Sequence, residues 1–198
     1  MAWEASCIFS LLIVFEATWS LLTWGLRGFL ALLFATAAIS KLTAMEEFHG
    51  VVRNFRLLPD AASRAVAMVL PVVELAVAAG LMVTALAVPA AWVGAGLLAL
   101  FGVAIAINVM RGRTQIDCGC FRNGLKQQIS WLMVGRNLVL TGLALAIAGL
   151  LPVTGGGGIA DLLVGLIAGA VFMLLYFSAS MLGGIAARQN QTLSPKGR

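Results

Sequence analysis

Long apolar runs with very few charges decide what this chain can become. They occupy about residues 8–42, 66–87, 90–110, 130–151 and 160–184. The last four each match one bilayer crossing, roughly 20 residues at 1.5 Å per residue. Backbone N–H and C=O groups find no water in hydrocarbon, so such runs persist there as helices. The expected fold is all-α: a polytopic transmembrane helix bundle of about five spans. Composition agrees, since 61% of the 198 residues are hydrophobic and only 11% are charged, against about a quarter charged in a soluble domain. The net charge of +5 raises nucleic acid as a partner. The basic residues, however, sit in short loops between apolar runs without base-stacking aromatics, and orientation in a lipid bilayer accounts for them.

The first run is too long for one straight crossing and is interrupted by Trp24-Gly25-Leu26-Arg27-Gly28. Either one helix covers about 16–42 behind an interfacial lead, or two short helices at about 5–23 and 28–44 form a hairpin. A tight turn would have to satisfy its freed backbone groups near lipid, which favours the single helix. Residues 1–20 contain two Glu and no Lys or Arg, the wrong flank for a signal peptide. Between the first two spans, residues 44–65 read as an amphipathic interfacial helix. Phe48, Val51, Val52, Phe55 and Leu58 recur at spacings of three and four, opposite Glu46, Arg53 and Arg56. Leu57-Leu58-Pro59-Asp60, which ends a polar segment, and Val88-Pro89 and Pro152 with Gly155 to Gly158, which separate spans, read as turn chemistry. Residues 1–185 thus form a single transmembrane domain, and residues 186–198 a disordered polar tail.

Lys41, Arg53, Arg56 and Arg64 fall between the first two spans, and Arg111, Arg113, Arg122 and Lys126 between the third and fourth, with Arg136 just beyond. The tail adds Arg188, Lys196 and Arg198, while the connections at 88–90 and 152–159 carry none. With five spans the positive-inside rule puts the N-terminus outside and the third connection at the cytoplasmic face.

That connection contains Asp117-Cys118-Gly119-Cys120-Phe121. Two thiols one residue apart close only a small, strained disulfide ring, and strain makes such a bond easily reduced. Gly119 permits the unusual backbone angles required. Arg113 and Arg122 favour a thiolate, whereas Asp117 either opposes it or accepts the proton of the attacking thiol. Standing in a polar loop, Cys118 and Cys120 are not explained by burial, unlike Cys7, which reads as a small buried hydrophobe. Copper or zinc binding is the chemical rival. Closed zinc coordination wants four ligands, and the one histidine, His49, lies in another loop, so no metal site is expected.

Glu16, Lys41, Glu74, Asn108, Arg136 and Asn137 lie in or beside apolar spans, where polar groups are expensive and mark candidate sites. Glu74, three residues after Pro71, can pair with Lys41 or Arg136. Such a pair either holds the bundle together or handles protons or a quinone. Gly94, Gly96, Gly102, Gly165 and Gly169 read as helix-packing contacts.

Several of these features recur together: Lys41, Phe55-Arg56-Leu57-Leu58-Pro59, Leu70-Pro71-Val72-Val73-Glu74, Asn108 before Arg111-Gly112-Arg113, Ile116 to Phe121, and Ser130-Trp131 leading to Gly135-Arg136-Asn137. In them the chain resembles the methylamine utilisation MauE family, a relative of DoxX-like membrane proteins, over about residues 28–145. Arg122 departs from the pattern, which has Gly there. The resemblance implies a bacterial inner-membrane protein that takes part in maturing methylamine dehydrogenase, whose small subunit is disulfide-rich and carries a tryptophan-derived quinone. It further implies a thioredoxin-like, periplasmic MauD-type partner and thiol-disulfide exchange through Cys118 and Cys120. Glu74, Lys41, Arg136 and Asn137 would then shape the helical pocket around them. A periplasmic partner needs those cysteines reachable from outside, while the charge rule places them inside. The rival expectation is a non-enzymatic DoxX-like scaffold or quinone-binding subunit that uses no thiol chemistry.

Overall fold

The computed structural model describes the backbone of residues 2–114, 129–150 and 158–193, and the side chains of these residues apart from 2–13, 16, 150 and 182–193. Among the described residues there is helix and no strand. The elements are α1 (Ala2–Leu42), α2 (Met45–Asn54), α3 (Asp60–Met82), α4 (Ala87–Met110), α5 (Trp131–Leu150) and α6 (Ile159–Leu193), with one 3-10 turn at Thr84–Leu86. All but α2 contain a stretch long and apolar enough to cross a bilayer: Ala17–Leu42, Asp60–Met82, Thr84–Met110, Trp131–Gly149 and Ile159–Met181.

The first apolar run is one continuous helix, so Gly25 to Gly28 do not form a turn. They are instead where α6 lies against α1. A Cβ on Gly28 would collide with the backbone carbonyl of Gly165, one on Gly165 would stand 2.8 Å from the Trp24 carbonyl oxygen, and one on Gly169 would stand 2.9 Å from Gly28 Cα. Without a hydrophobic drive between helices in lipid, close backbone approach through small residues supplies the association. Trp24 meets Gly165 and Gly28 meets Gly169, so the two helices run parallel. The contact continues beyond the glycines, where the Phe29 ring sits edge-on to Phe172 and Tyr176 at centroid distances of 6.5 and 5.8 Å.

Gly94 and Gly102 are also packing positions, facing Phe34 with Val77 and the Asn137 side chain respectively, but Gly96 faces open space. It is not a packing contact in this chain. The core joins Leu30, Phe34, Val77, Leu81, Ala91, Leu140 and Ile147 from α1, α3, α4 and α5.

Three boundaries differ from the sequence reading. The interfacial helix stops at Asn54, and Asp60 to Arg64 already belong to α3. Pro59 causes this, because it disfavours helical geometry at Leu58 and then serves as the N-cap of α3. The turn between α3 and α4 lies at Val83–Leu86, not at Val88-Pro89. Pro89 stands in the first turn of α4, where a proline's missing N–H has no helical acceptor to lose. Finally, α6 remains helical through Leu193, covering much of the segment read as a polar tail. Ala186, Ala187, Arg188 and Gln189 are helix-compatible residues that can extend a helix without a hydrophobic face.

Arg27 is 1% exposed. Its Nε donates to the Leu81 carbonyl oxygen at 2.9 Å, and its Cζ stands 3.7 Å from the centroid of the Trp24 ring. Leu81 is in the last turn of α3, where carbonyls lack helical partners and the helix dipole is negative. Arg27 is thus a side-chain cap delivered by a neighbouring helix.

Candidate functional site

The α1–α2 and α2–α3 connections, the end of α4 and the start of α5 share one end of the bundle. It holds Lys41, Arg53, Arg56, Arg64, Arg111 and Arg113. Cys118, Cys120 and Asp117 belong to the connection leaving α4 at this end, and they lie outside the described residues.

Both flanks of that connection are anchored. At the α4 end, Gly112 has φ +70, its N–H donates to the Val109 carbonyl at 3.0 Å, and the Arg113 N–H donates to the Asn108 carbonyl at 3.0 Å. This pair of bonds is a Schellman motif, and the left-handed position suits glycine because a Cβ there meets the backbone. The motif turns Arg113 back so that its Nη1 donates to Asn108 Oδ1 at 3.4 Å. Asn108 is 0% exposed, and its Nδ2 donates to the Ala104 carbonyl at 3.0 Å. At the α5 end, Ile129 is buried with Ile105 and Met133, and Phe55 packs against this cluster from the α2–α3 connector. Gly112→Ala should therefore lower stability by about 1–2 kcal/mol, read as a reduced melting temperature of detergent-solubilised protein.

Deeper in the bundle, Lys41 Nζ donates to Glu74 Oε1 at 2.7 Å and to Oε2 at 2.8 Å. Both side chains are 2% exposed. The pairing follows from direction. Helical side chains lean toward their own N-terminus, and α1 and α3 run antiparallel, so Lys41 and Glu74 lean toward each other. The Phe48 and Phe101 rings stand 5.4 and 5.6 Å from the ammonium and wall the pair off from water. Of the two partners foreseen for Glu74, Lys41 is the one at ion-pair distance. Arg136 stands on α5 with its Cζ 5.8 Å from the Tyr176 ring of α6. Asn137 is 3% exposed, donates from Nδ2 to the Met133 carbonyl at 2.9 Å, and faces Gly102 of α4.

The bundle therefore brings Lys41, Glu74, Asn108 and Asn137 into the half that carries the Cys118 connection, and Asn108 reaches the connection directly through Arg113. Missed by sequence reasoning were Arg27, whose spacing of three from Trp24 is the signal of a stacked pair, and Phe48 with Phe101, which read simply as apolar positions. Among the described residues no three His, Cys, Asp or Glu side chains are grouped to hold a metal.

Five apolar spans, a small helix at one end and polar groups gathered in that half define a polytopic membrane protein with a connection-centred candidate site. A sequence profile of the family described as methylamine utilisation protein MauE matches residues 19–152. The chain belongs to this family. It is 72% identical to the methylamine utilization protein MauE of Paracoccus versutus over 178 residues, covering 90% of this chain and 96% of that one. The MauE proteins of Paracoccus denitrificans and Methylorubrum extorquens are 65% identical over 175 residues and 51% over 171. These alignments cover 88% and 86% of this chain, and 94% and 92% of the respective relatives. No solved structure matches the chain.

Proposed function

We propose that the chain is an inner-membrane thiol-disulfide exchange protein that serves methylamine utilisation, with Cys118 and Cys120 as its working pair. The observation that carries this reading is a two-thiol sequence in a polar connection whose flanks are fixed to buried groups: Arg113 to Asn108 on one side and Ile129 to Ile105 and Met133 on the other. Such anchoring fixes the two ends of the connection, which suits repeated encounters with a partner.

In the exchange, one cysteine thiolate attacks a disulfide sulfur of a thioredoxin-like, MauD-type partner and forms a mixed disulfide, and a partner thiolate leaves. The second cysteine attacks the mixed disulfide, closing the Cys118–Cys120 bond and releasing the partner as a dithiol. Two electrons pass to the partner in this direction and return in the reverse one. Asp117 accepts the proton of the attacking thiol, while Lys41, Glu74, Asn108, Arg136 and Asn137 shape the bundle beneath. The substrate downstream is the small subunit of methylamine dehydrogenase, and no bound cofactor is required for these steps.

The test is acid-quenched alkylation of intact cells with a membrane-impermeant thiol reagent, before and after reduction, in a Cys7→Ser background. The expected result is a Cys118–Cys120 disulfide that takes up label only after reduction, and loss of mature methylamine dehydrogenase in either Cys118→Ser or Cys120→Ser. Because the reagent does not cross the membrane, that labelling would also put the connection on the periplasmic face, against the positive-inside rule. Cysteines reduced in every condition would overturn the proposal.

One observation favours the scaffold reading instead. The Lys41–Glu74 pair is buried and aromatic-walled, as a structural ion pair would be. On that reading both serine variants support normal maturation.

A further inference from the structure

The segment Phe55-Arg56-Leu57-Leu58-Pro59 is given no role in the exchange steps above, yet its geometry is specific. Helix α2 ends at Asn54, and the Phe55 and Arg56 N–H groups donate to the Val51 and Arg53 carbonyls, both at 3.1 Å. Arg56 then takes φ +47, the left-handed position at which helices usually carry glycine. Placing arginine there turns the chain so that Arg53, Asn54 and Arg56 line one open concavity of about 420 Å³ together with Leu57 and Leu58.

Three properties of this concavity point to one ligand. Arg53 and Arg56 are exposed, and neither guanidinium lies within ion-pair distance of a carboxylate among the described residues. Asp60 also lines the concavity, but it occupies the first turn of α3, where the helix dipole compensates a negative charge. Two guanidinium groups lining one hollow supply the paired N–H donors that phosphate oxygens accept. The hollow also lies between the end of α2 and the first turn of a candidate membrane span, Asp60–Met82, and an amphipathic helix next to the start of a span belongs in the headgroup region. Leu57 is 36% and Leu58 43% exposed beside it. A freely dissolved phosphate would have no use for these leucines, whereas the acyl chains of a phospholipid would cover them.

We propose that the α2–α3 connector is a headgroup site for an anionic phospholipid, with Arg53 and Arg56 holding the phosphate, Asn54 donating to it, and Leu57 and Leu58 lying along the acyl chains. Basic pockets at the ends of membrane spans are suited to such headgroups. The site stands independently of the thiol chemistry. Its neighbour Phe55 packs on Ile105, Ile129 and Met133, so the occupied connector adjoins one flank of the Cys118 connection.

The experiment is native mass spectrometry of the full chain released from detergent micelles containing equal amounts of phosphatidylglycerol, phosphatidylethanolamine and phosphatidylcholine. A parallel sample contains glycerol 3-phosphate and inorganic phosphate. The expected result is one retained phosphatidylglycerol per chain. Arg53→Gln and Arg56→Gly should each weaken it about tenfold, the loss of roughly one charge-assisted contact. Arg64→Gln, which removes a charge at the same end but outside the hollow, should leave retention unchanged. Arg56→Gly separates binding from folding, because glycine adopts the left-handed position freely and its melting temperature should equal or exceed that of the parent. Unchanged retention in both hollow variants would overturn the site. Equal retention of phosphatidylcholine or phosphatidylethanolamine would overturn its preference for anionic lipid. Glycerol 3-phosphate or inorganic phosphate binding as tightly as the lipid would overturn the lipid assignment.

Discussion

Gly28→Val is expected to leave little folded protein in detergent extracts, while Gly96→Ala gives a yield and melting temperature equal to or slightly above the parent. At Gly28 the first added carbon meets the backbone carbonyl of Gly165. Backbone cannot rotate away as a side chain can, so relief requires α1 and α6 to separate. Separation would forfeit the contacts of Trp24 with Gly165 and of Phe29 with Phe172 and Tyr176. Overpacking a side-chain core usually costs about 1–3 kcal/mol. A backbone collision on the seam should exceed that range, a large share of the 5–15 kcal/mol that typically holds a domain together. Gly96 has no atom within 4 Å of an added Cβ, and alanine there gains roughly 0.5–1 kcal/mol of helix propensity. Fluorescence-detected size exclusion followed by thermal melting measures both. Equal behaviour of the two variants would refute the seam.

The second large effect belongs to the buried ion pair. Lys41→Met and Glu74→Leu are each expected to destabilise by about 3–5 kcal/mol, because each breaks a buried ion pair and leaves the other charge in a dry site without that partner. The double variant should recover most of that loss and approach the parent, since apolar side chains of similar volume replace a pair whose desolvation cost offsets its attraction. Melting of the four proteins in one detergent gives the coupling energy directly. A double variant as unstable as the sum of the singles would show that the two residues act separately. If the double variant folds, methylamine dehydrogenase maturation in cells that carry it asks whether the pair serves more than stability.

The span pattern and the Lys41–Glu74 pairing were legible because hydrocarbon penalises charge so heavily that an intramembrane glutamate demands a cation nearby. Arg27 was not. Set among Gly25 and Gly28, it resembles the polar, flexible residues of a turn, and only the three-dimensional match with Gly165 and Gly169 shows that the glycines are contact points inside a helix. The extent of α2 was misjudged for a different reason. The apolar spacing continues through Phe55 and Leu58, but Phe55 turns inward to the Ile105 cluster while Leu58 is held non-helical by Pro59. Periodicity records which residues are apolar, and the local effect of proline decides where a helix ends. Asn108 stands in a span, buried within α4. Its role as the clasp for Arg113 depends on the reversal at Gly112, which the Arg111-Gly112-Arg113 sequence permits without dictating.

The glycine seam also sets an order of events during biogenesis. Segment α1 leaves the ribosome first and α6 last, yet they share the closest backbone contact described. While the intervening chain inserts, α1 can already pack on α3 through Phe34 and Val77 and cap it through Arg27, but the groove at Gly25 and Gly28 remains filled by lipid. Only the arrival of α6 expels that lipid. A nascent chain halted before residue 159 would display the open groove to membrane proteases, whereas in a completed chain the groove is sealed after the α4–α5 connection has been made.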